Sequence, residues 1–144
     1  KQELGAFGER TVVKSCACPK CKRHGTLKPL PTNFKCADVI CDFCGYLAQV
    51  KTMTVTKCDS QPKRVLGAAW GPQKARMDAG IYFPLFLVLK DPMRHSVYYL
   101  SADLQQPELF VVRAPLSTMA RRAGWQGFFY DFSRLKEASL VRLV

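Results

Sequence analysis

Apolar and polar positions follow two different periods along this chain, and the changes between them divide it into elements. Residues 3–14 (ELGAFGERTVVK) set Leu4, Phe7 and Val12 at roughly helical spacing, which predicts an amphipathic helix. Gly5 and Gly8 work against it, since a glycine inside a helix costs about 1 kcal/mol relative to alanine. Residues 16–44 hold neither period; CPKC, HGTLKPLPTN and FKCADVICDFC are dominated by cysteines and turn formers. Tyr46 to Val55 (YLAQVKTMTV) is rich in β-formers and alternates, as a strand does. A polar loop spans 56–64, and Val65 to Ala79 is expected as a turn followed by a short helix with Pro72 in its first turn. Ile81 to Lys90 and Ser96 to Leu100, joined by DPMRH, form a hairpin by composition. Glu108 to Arg113 is expected as a strand, Ser117 to Arg122 as one helical turn ended by Gly124, and Gly127 to Phe132 and Ala138 to Val144 as closing strands. With no repeat or linker in the pattern, the expectation is a single α+β domain over 1–144 with a mixed central sheet.

Composition narrows this further. At 144 residues and 48% hydrophobic, the chain can bury one core. Its longest apolar run, Ile81 to Leu89, is strand-sized and interrupted by Pro84, so no membrane span or membrane partner is expected. The first residues, KQELGAFGER, do not read as a signal peptide, which points to the cytoplasm, and a start at Lys1 suggests a trimmed or partial chain. Twenty-two Lys and Arg against eleven Asp and Glu give +11, a balance suited to a polyanion, nucleic acid ahead of an acidic membrane surface.

Seven cysteines in such a chain suggest metal binding before disulfides. Four fall in two CxxC pairs, Cys18/Cys21 and Cys41/Cys44, nineteen residues apart, the spacing of a four-cysteine zinc ribbon. Each pair places two thiolates on one side of a tetrahedral ion, and four leave no open position, so this zinc is expected to be structural. Cys16 or His24 remain as substitutes for one ligand; Cys36 and Cys58 are expected as buried free thiols, and His95, in the hairpin turn, is assigned nothing.

The second pair sits inside a longer phrase running from Asp38 through Gln49 and Val50 to Lys51. An acid, about ten residues, an acid or amide, any residue and a lysine is the spacing of the PD-(D/E)xK nuclease centre. Two strands would bring oxygen ligands to one hard cation, Mg²⁺ or Mn²⁺, with Asp38, Gln49 and Val50 as the expected set. Lys51, two residues beyond Gln49 and so on the same strand face, would orient the attacking water and offset developing charge. By spacing alone the plainer account is favoured, a surface Asp38 and a solvated Lys51.

A resemblance alters that balance. CPKC … ADVICDFCGYLAQVK, then GAAWGPQKARMDAG before an aromatic strand, then APLSTMARRAGWQGFFYDFS, together resemble the Dam-replacing family of restriction endonucleases, the DpnI type, from about Leu4 to Val144. The resemblance implies a PD-(D/E)xK nuclease fold, a mixed sheet with flanking helices and an inserted zinc ribbon over about 16–44. It implies a metal-dependent endonuclease acting on double-stranded DNA, with adenine-methylated, GATC-like sites as the expected target. Asp38 matches the family's metal-binding aspartate and Lys51 its catalytic lysine. Glu9 stands where the family has a helical acid and would hold the metal or its waters, with an exposed helix charge as the equal alternative.

Two departures stand out. Position 49 is Gln where the DpnI type has Glu, which lowers the charge count by one; a natural variant, an engineered inactive substitution and a dead copy all accommodate it. The winged-helix domain that follows in the family is not in these residues. The alternative function is therefore a catalytically weak or inactive, zinc-stabilised DNA-binding module of the same fold, with a zinc-ribbon RNA-binding protein a distant third. Arg121 and Arg122, before Gly124 and Trp125, are candidates for DNA contact, as are Gln73, Lys74 and Arg76 on the expected short helix. Against these stand a structural corner with Trp125 in the core and a solvated basic face.

Overall fold

The alternation in YLAQVKTMTV becomes the strand on which the rest of the chain is laid. The computed structural model describes residues 2–31, 34, 37–69, 71–112, 126–136 and 138–144. The chain opens with helix α1 (Gln2–Ser15), followed by strands β1 (Leu27–Pro29), β2 (Val39–Cys41) and β3 (Leu47–Thr54). Next come β4 (Arg64–Ala69), helix α2 (Gly71–Asp78), and the hairpin of β5 (Leu85–Lys90) and β6 (His95–Leu100). Strands β7 (Phe110–Val112), β8 (Gln126–Asp131) and β9 (Val141–Arg142) complete it.

Among the described residues these strands form two sheets. The larger is six-stranded in the order β1-β2-β3-β5-β6-β9, and the smaller is three-stranded in the order β4-β8-β7. β3 and β5 run parallel, with Gln49 opposite Leu85 and Lys51 opposite Leu87; their other neighbours are antiparallel. A parallel pair needs a crossover, and here it runs through β4 and α2. The architecture is thus α+β with a mixed sheet and flanking helices.

Alternation sorts side chains to the two faces of the central sheet. Ala48 and Val50 of β3 join Phe86 and Val88 of β5 in a core that α1 closes with Val12. Leu85, Leu87 and Leu89 face the other way and pack with Val65, Phe128 and Tyr130 of the second sheet. Because β5 is covered on both faces it carries an unbroken apolar run instead of alternation. Each such leucine contributes about 1.5–3 kcal/mol on burial.

Gly8, unfavourable in an isolated helix, has a packing reason here. A Cβ at that position would stand 1.8 Å from Thr52 Oγ1, so the glycine is what lets α1 lie against β3. α2 ends in a Schellman closure: the Ile81 amide reaches the Arg76 carbonyl (2.8 Å), the Gly80 amide reaches Met77 (3.0 Å), and Gly80 has φ +75°.

Several expectations change. Val65 to Ala69 belongs to a strand, not a turn, because six residues of β4 pair with β8 more than fifty positions away; Gly67 leaves room there for the Phe128 ring. The second sheet as a whole was not anticipated, nor were β1 and β2. Glu108 belongs to a 3₁₀ turn (Pro107–Leu109), with Phe110–Val112 extended after it; Arg113 lies outside the described residues. Of 138–144, Val141 and Arg142 form β9 opposite Tyr99 and Tyr98, and Leu143 and Val144 continue along the same edge through backbone hydrogen bonds to Val97, so the strand is shorter than expected at its start. His95 begins β6 instead of lying in the turn. The helical turn expected over Ser117–Arg122 lies outside the described residues. No helix among them is long and apolar enough to cross a membrane.

Candidate functional site

Two turns of the same build bring the four cysteines together. In the first, the Lys22 amide donates to the Cys18 carbonyl (2.9 Å) and Lys22 has φ +65°; in the second, Gly45 donates to Cys41 (2.8 Å) with φ +79°. The amides of Lys20 and Cys21 turn toward the Cys18 sulfur, and those of Phe43 and Cys44 toward Cys41. The sulfurs of Cys18 and Cys44 are 3.6 Å apart, those of Cys21 and Cys41 3.8 Å, and all four lie within 4.8 Å of one another. Thiolates about 2.3 Å from one tetrahedral ion would stand about 3.8 Å apart, so the donor set fits zinc. Burial pushes the Cys18 thiol up to about 12. Cys41 is brought down to about 6: burial opposes ionisation there, but the Thr26 hydroxyl, 3.2 Å away, and the Cys44 and Phe43 amides favour it. Four clustered thiols do not all ionise readily unaided, and a divalent cation would supply the compensating charge.

Cys16 is buried in the core under α1 and stands outside this cluster, its thiol pushed up to about 11 by burial. His24 is exposed and Cys58 is a buried free thiol; Cys36 lies outside the described residues. Thr26 was not singled out from sequence. Its signal is positional, one residue before Leu27, which pairs with Cys41.

Three residues upstream of Cys41, Asp38 marks the point where β2 parts from β3. Its backbone still follows the sheet, donating to the Ala48 carbonyl and accepting from the Leu30 amide, both at 2.9 Å. Its side chain does something else: Oδ2 accepts the Val50 amide at 2.8 Å. β2 pairs with β3 at Val39–Ala48 and Ile40–Leu47, and beyond these the carboxylate takes the place of a strand partner. A strand residue presents its N–H and C=O to the same side, so the Val50 carbonyl also faces the Asp38 side. Asp38 and Lys51 thus lie on one strand junction, and Lys51 draws the Asp38 carboxyl downward electrostatically. Burial outweighs that pull and the Val50 hydrogen bond, holding the carboxyl above its ordinary range. Glu9 sits beside the Gly8 contact on α1; burial, and after it the Asp38 charge, raises its carboxyl too.

Gln49 is held from both sides. Its backbone N–H donates to the Pro84 carbonyl at 2.8 Å, fixing the entry of β5. Its Oε1 accepts a hydrogen bond at 3.2 Å from the hydroxyl of Tyr130, which is only 2% exposed and comes from the second sheet. Tyr130 lies near enough to Asp38 to feel its charge; burial, then that charge, raises the phenol. Tyr130 was missed by the sequence reading, since nothing local in GFFYDF distinguishes it from a core aromatic.

Gln73 and Met77 of α2 line a small cavity together with Gln49 and Tyr130. Lys74 faces outward in an exposed pair with Asp78 at 2.8 Å, and Arg76 is exposed. Arg121, Arg122 and Trp125 lie outside the described residues. Residues 1–144, the whole chain, match the profile of the Dam-replacing family, DpnI, and no curated protein matches the chain.

Proposed function

We propose, on the premise that the chain belongs to the Dam-replacing family and so to restriction-type nucleases with DNA as their partner, that it is a metal-dependent DNA endonuclease of PD-(D/E)xK type with its reaction centre at Asp38, Gln49 and Lys51. The observation that carries this is the Asp38 carboxylate standing in for a strand partner at Val50, on the strand that bears the other two residues. Asp38 Oδ, Gln49 Oε1 and the Val50 carbonyl are the oxygens that would hold Mg²⁺ or Mn²⁺, with Glu9 holding its waters. When bound, such an ion polarises the scissile phosphate and lowers the pKa of a water. Lys51 orients the attacking water and offers its ammonium to the charge that builds on the phosphate oxygens. The four cysteines take zinc as a structural ion. Lys74, Arg76, Arg121, Arg122 and Trp125 contact DNA, and adenine-methylated, GATC-like DNA is the proposed target.

The test is digestion of plasmid DNA with and without adenine methylation, in Mg²⁺ and then Mn²⁺. Lys51→Ala should abolish cutting while DNA binding remains; unchanged cutting in that variant would remove the assigned centre. Equal cutting of both plasmids would reject methyl dependence. Gln49 favours a second reading, a binding module of the same fold, supported if neither the native chain nor Gln49→Glu cuts DNA.

A further inference from the structure

An amide and a carboxylate differ in one way that matters at a cation site. A carboxylate offers an oxygen whichever way it turns, whereas an amide turned over presents N–H donors and cannot ligate. A Gln at position 49 therefore needs something to fix which end faces the ion, a need that a Glu would not have.

The second sheet supplies it. Tyr130 belongs to β8 and is held in register by Val65 of β4 on one side and Phe110 of β7 on the other. Rings of Phe110, Phe128 and Phe132 surround it at centroid distances of 5.4, 5.0 and 6.1 Å. A side chain packed this way has little rotational freedom, so its hydroxyl oxygen is fixed in place. That hydroxyl donates to Gln49 Oε1 at 3.2 Å. A carbonyl oxygen has two lone pairs, so accepting from a phenol does not exhaust its capacity to ligate. Turning the amide over would make the phenol the acceptor of Nε2–H and take from its own O–H the oxygen to which it donates.

We propose that Tyr130 is a positioning residue, whose hydroxyl orients the Gln49 amide so that its oxygen serves the divalent cation beside Asp38. This rests on the reaction centre proposed above. Tyr130 touches neither cation nor DNA in this role and acts through Gln49 alone.

Calorimetric titration of Mn²⁺ into the intact, zinc-loaded chain without DNA tests it, using the native chain, Tyr130→Phe, Gln49→Ala and the double variant. Phe keeps the ring packing, and an unchanged zinc content and a melting temperature close to native verify the fold. Tyr130→Phe should weaken Mn²⁺ binding about three- to tenfold, the range set by one net hydrogen bond. Gln49→Ala should weaken it at least as much, and adding Tyr130→Phe to it should change nothing further. In a Gln49→Glu background, where the two oxygens are equivalent, sensitivity to Tyr130→Phe should largely vanish. Native affinity in Tyr130→Phe would overturn the proposal, as would an equal penalty in the Gln49→Ala background. A native chain that binds no Mn²⁺ would instead overturn the reaction centre itself, and this role with it.

Discussion

The cysteine cluster and the Asp38–Gln49 site lie at the two ends of β2, yet they are built on opposite plans. The cysteines come from two short turns of the same geometry, and their sulfurs are already near tetrahedral spacing. The other site draws Glu9 from α1, Asp38 from the edge of β2, Gln49 and Lys51 from β3, and Tyr130 from a different sheet. A site made from local turns depends on a few backbone angles and on its ion. One made from distant elements depends on how closely those elements pack, so it should fail under changes that leave the first untouched.

The largest effect expected is on the cysteine side. Structural four-ligand zinc sites contribute about 10–16 kcal/mol of apparent binding energy to folding. Chelation, or Cys41→Ser, should therefore collapse the thermal unfolding transition followed by circular dichroism, and an unaltered melt would break the contrast. Gly8→Ala should do the reverse, sparing zinc and damaging the second site. A methyl group there meets Thr52, which is β-branched and stiff, and overpacking of this kind costs about 1–3 kcal/mol. Melting temperature and Mn²⁺ affinity should both fall in this variant while zinc stoichiometry stays native.

A smaller effect separates the sites by pH. The Asp38 and Glu9 carboxyls are raised in the folded chain, so the folded form holds their protons more tightly than the unfolded one. Their destabilising effect is complete above the folded-state pKa and disappears as pH falls toward the ordinary value of about 4. Without added Mn²⁺, the melting temperature should therefore gain a contribution on descending from neutrality that Asp38→Asn reduces and the double variant Asp38→Asn, Glu9→Gln abolishes. Asp91 acts in the opposite sense. Its carboxylate accepts the amides of Cys58, Met93 and Arg94 and is held well below the usual range. Its stabilisation is present above that ordinary value and lost in stronger acid. Smallest of all is Gly5→Ala, where nothing lies within 4 Å of the added methyl. It should stabilise the chain by up to about 1 kcal/mol, and destabilisation would show that α1 is tightly seated along its whole length.

The same contrast explains what could be read from the chain beforehand. Cys18, Cys21, Cys41 and Cys44 were legible because ligand spacing is a short-range property. α1 and β3 were legible because their periodicities are local, and β5 and β6 because two strand-sized runs of β-formers around a turn are a local composition. β4 was not: a strand containing Gly67, Ala68 and Ala69 has weak propensity of its own and is made by pairing with β8. The same holds for Tyr130, whose importance lies in a partner eighty-one positions away. Asp38 and Lys51 stood between these cases. Their spacing was visible, but the Val50 amide that holds the carboxylate became evident only once β2 and β3 were laid side by side.

Strand β3 works by phase. Its odd positions, Gln49, Lys51 and Met53, face the second sheet, and its even positions, Ala48 and Val50, face α1. A substitution alters one of these assignments, whereas inserting or deleting a single residue exchanges every one beyond it, sending polar side chains into the apolar core under α1. Length variation in this strand should therefore be far more damaging than residue variation, and the eight positions from Leu47 to Thr54 form a segment whose reading frame in space is as binding as its sequence.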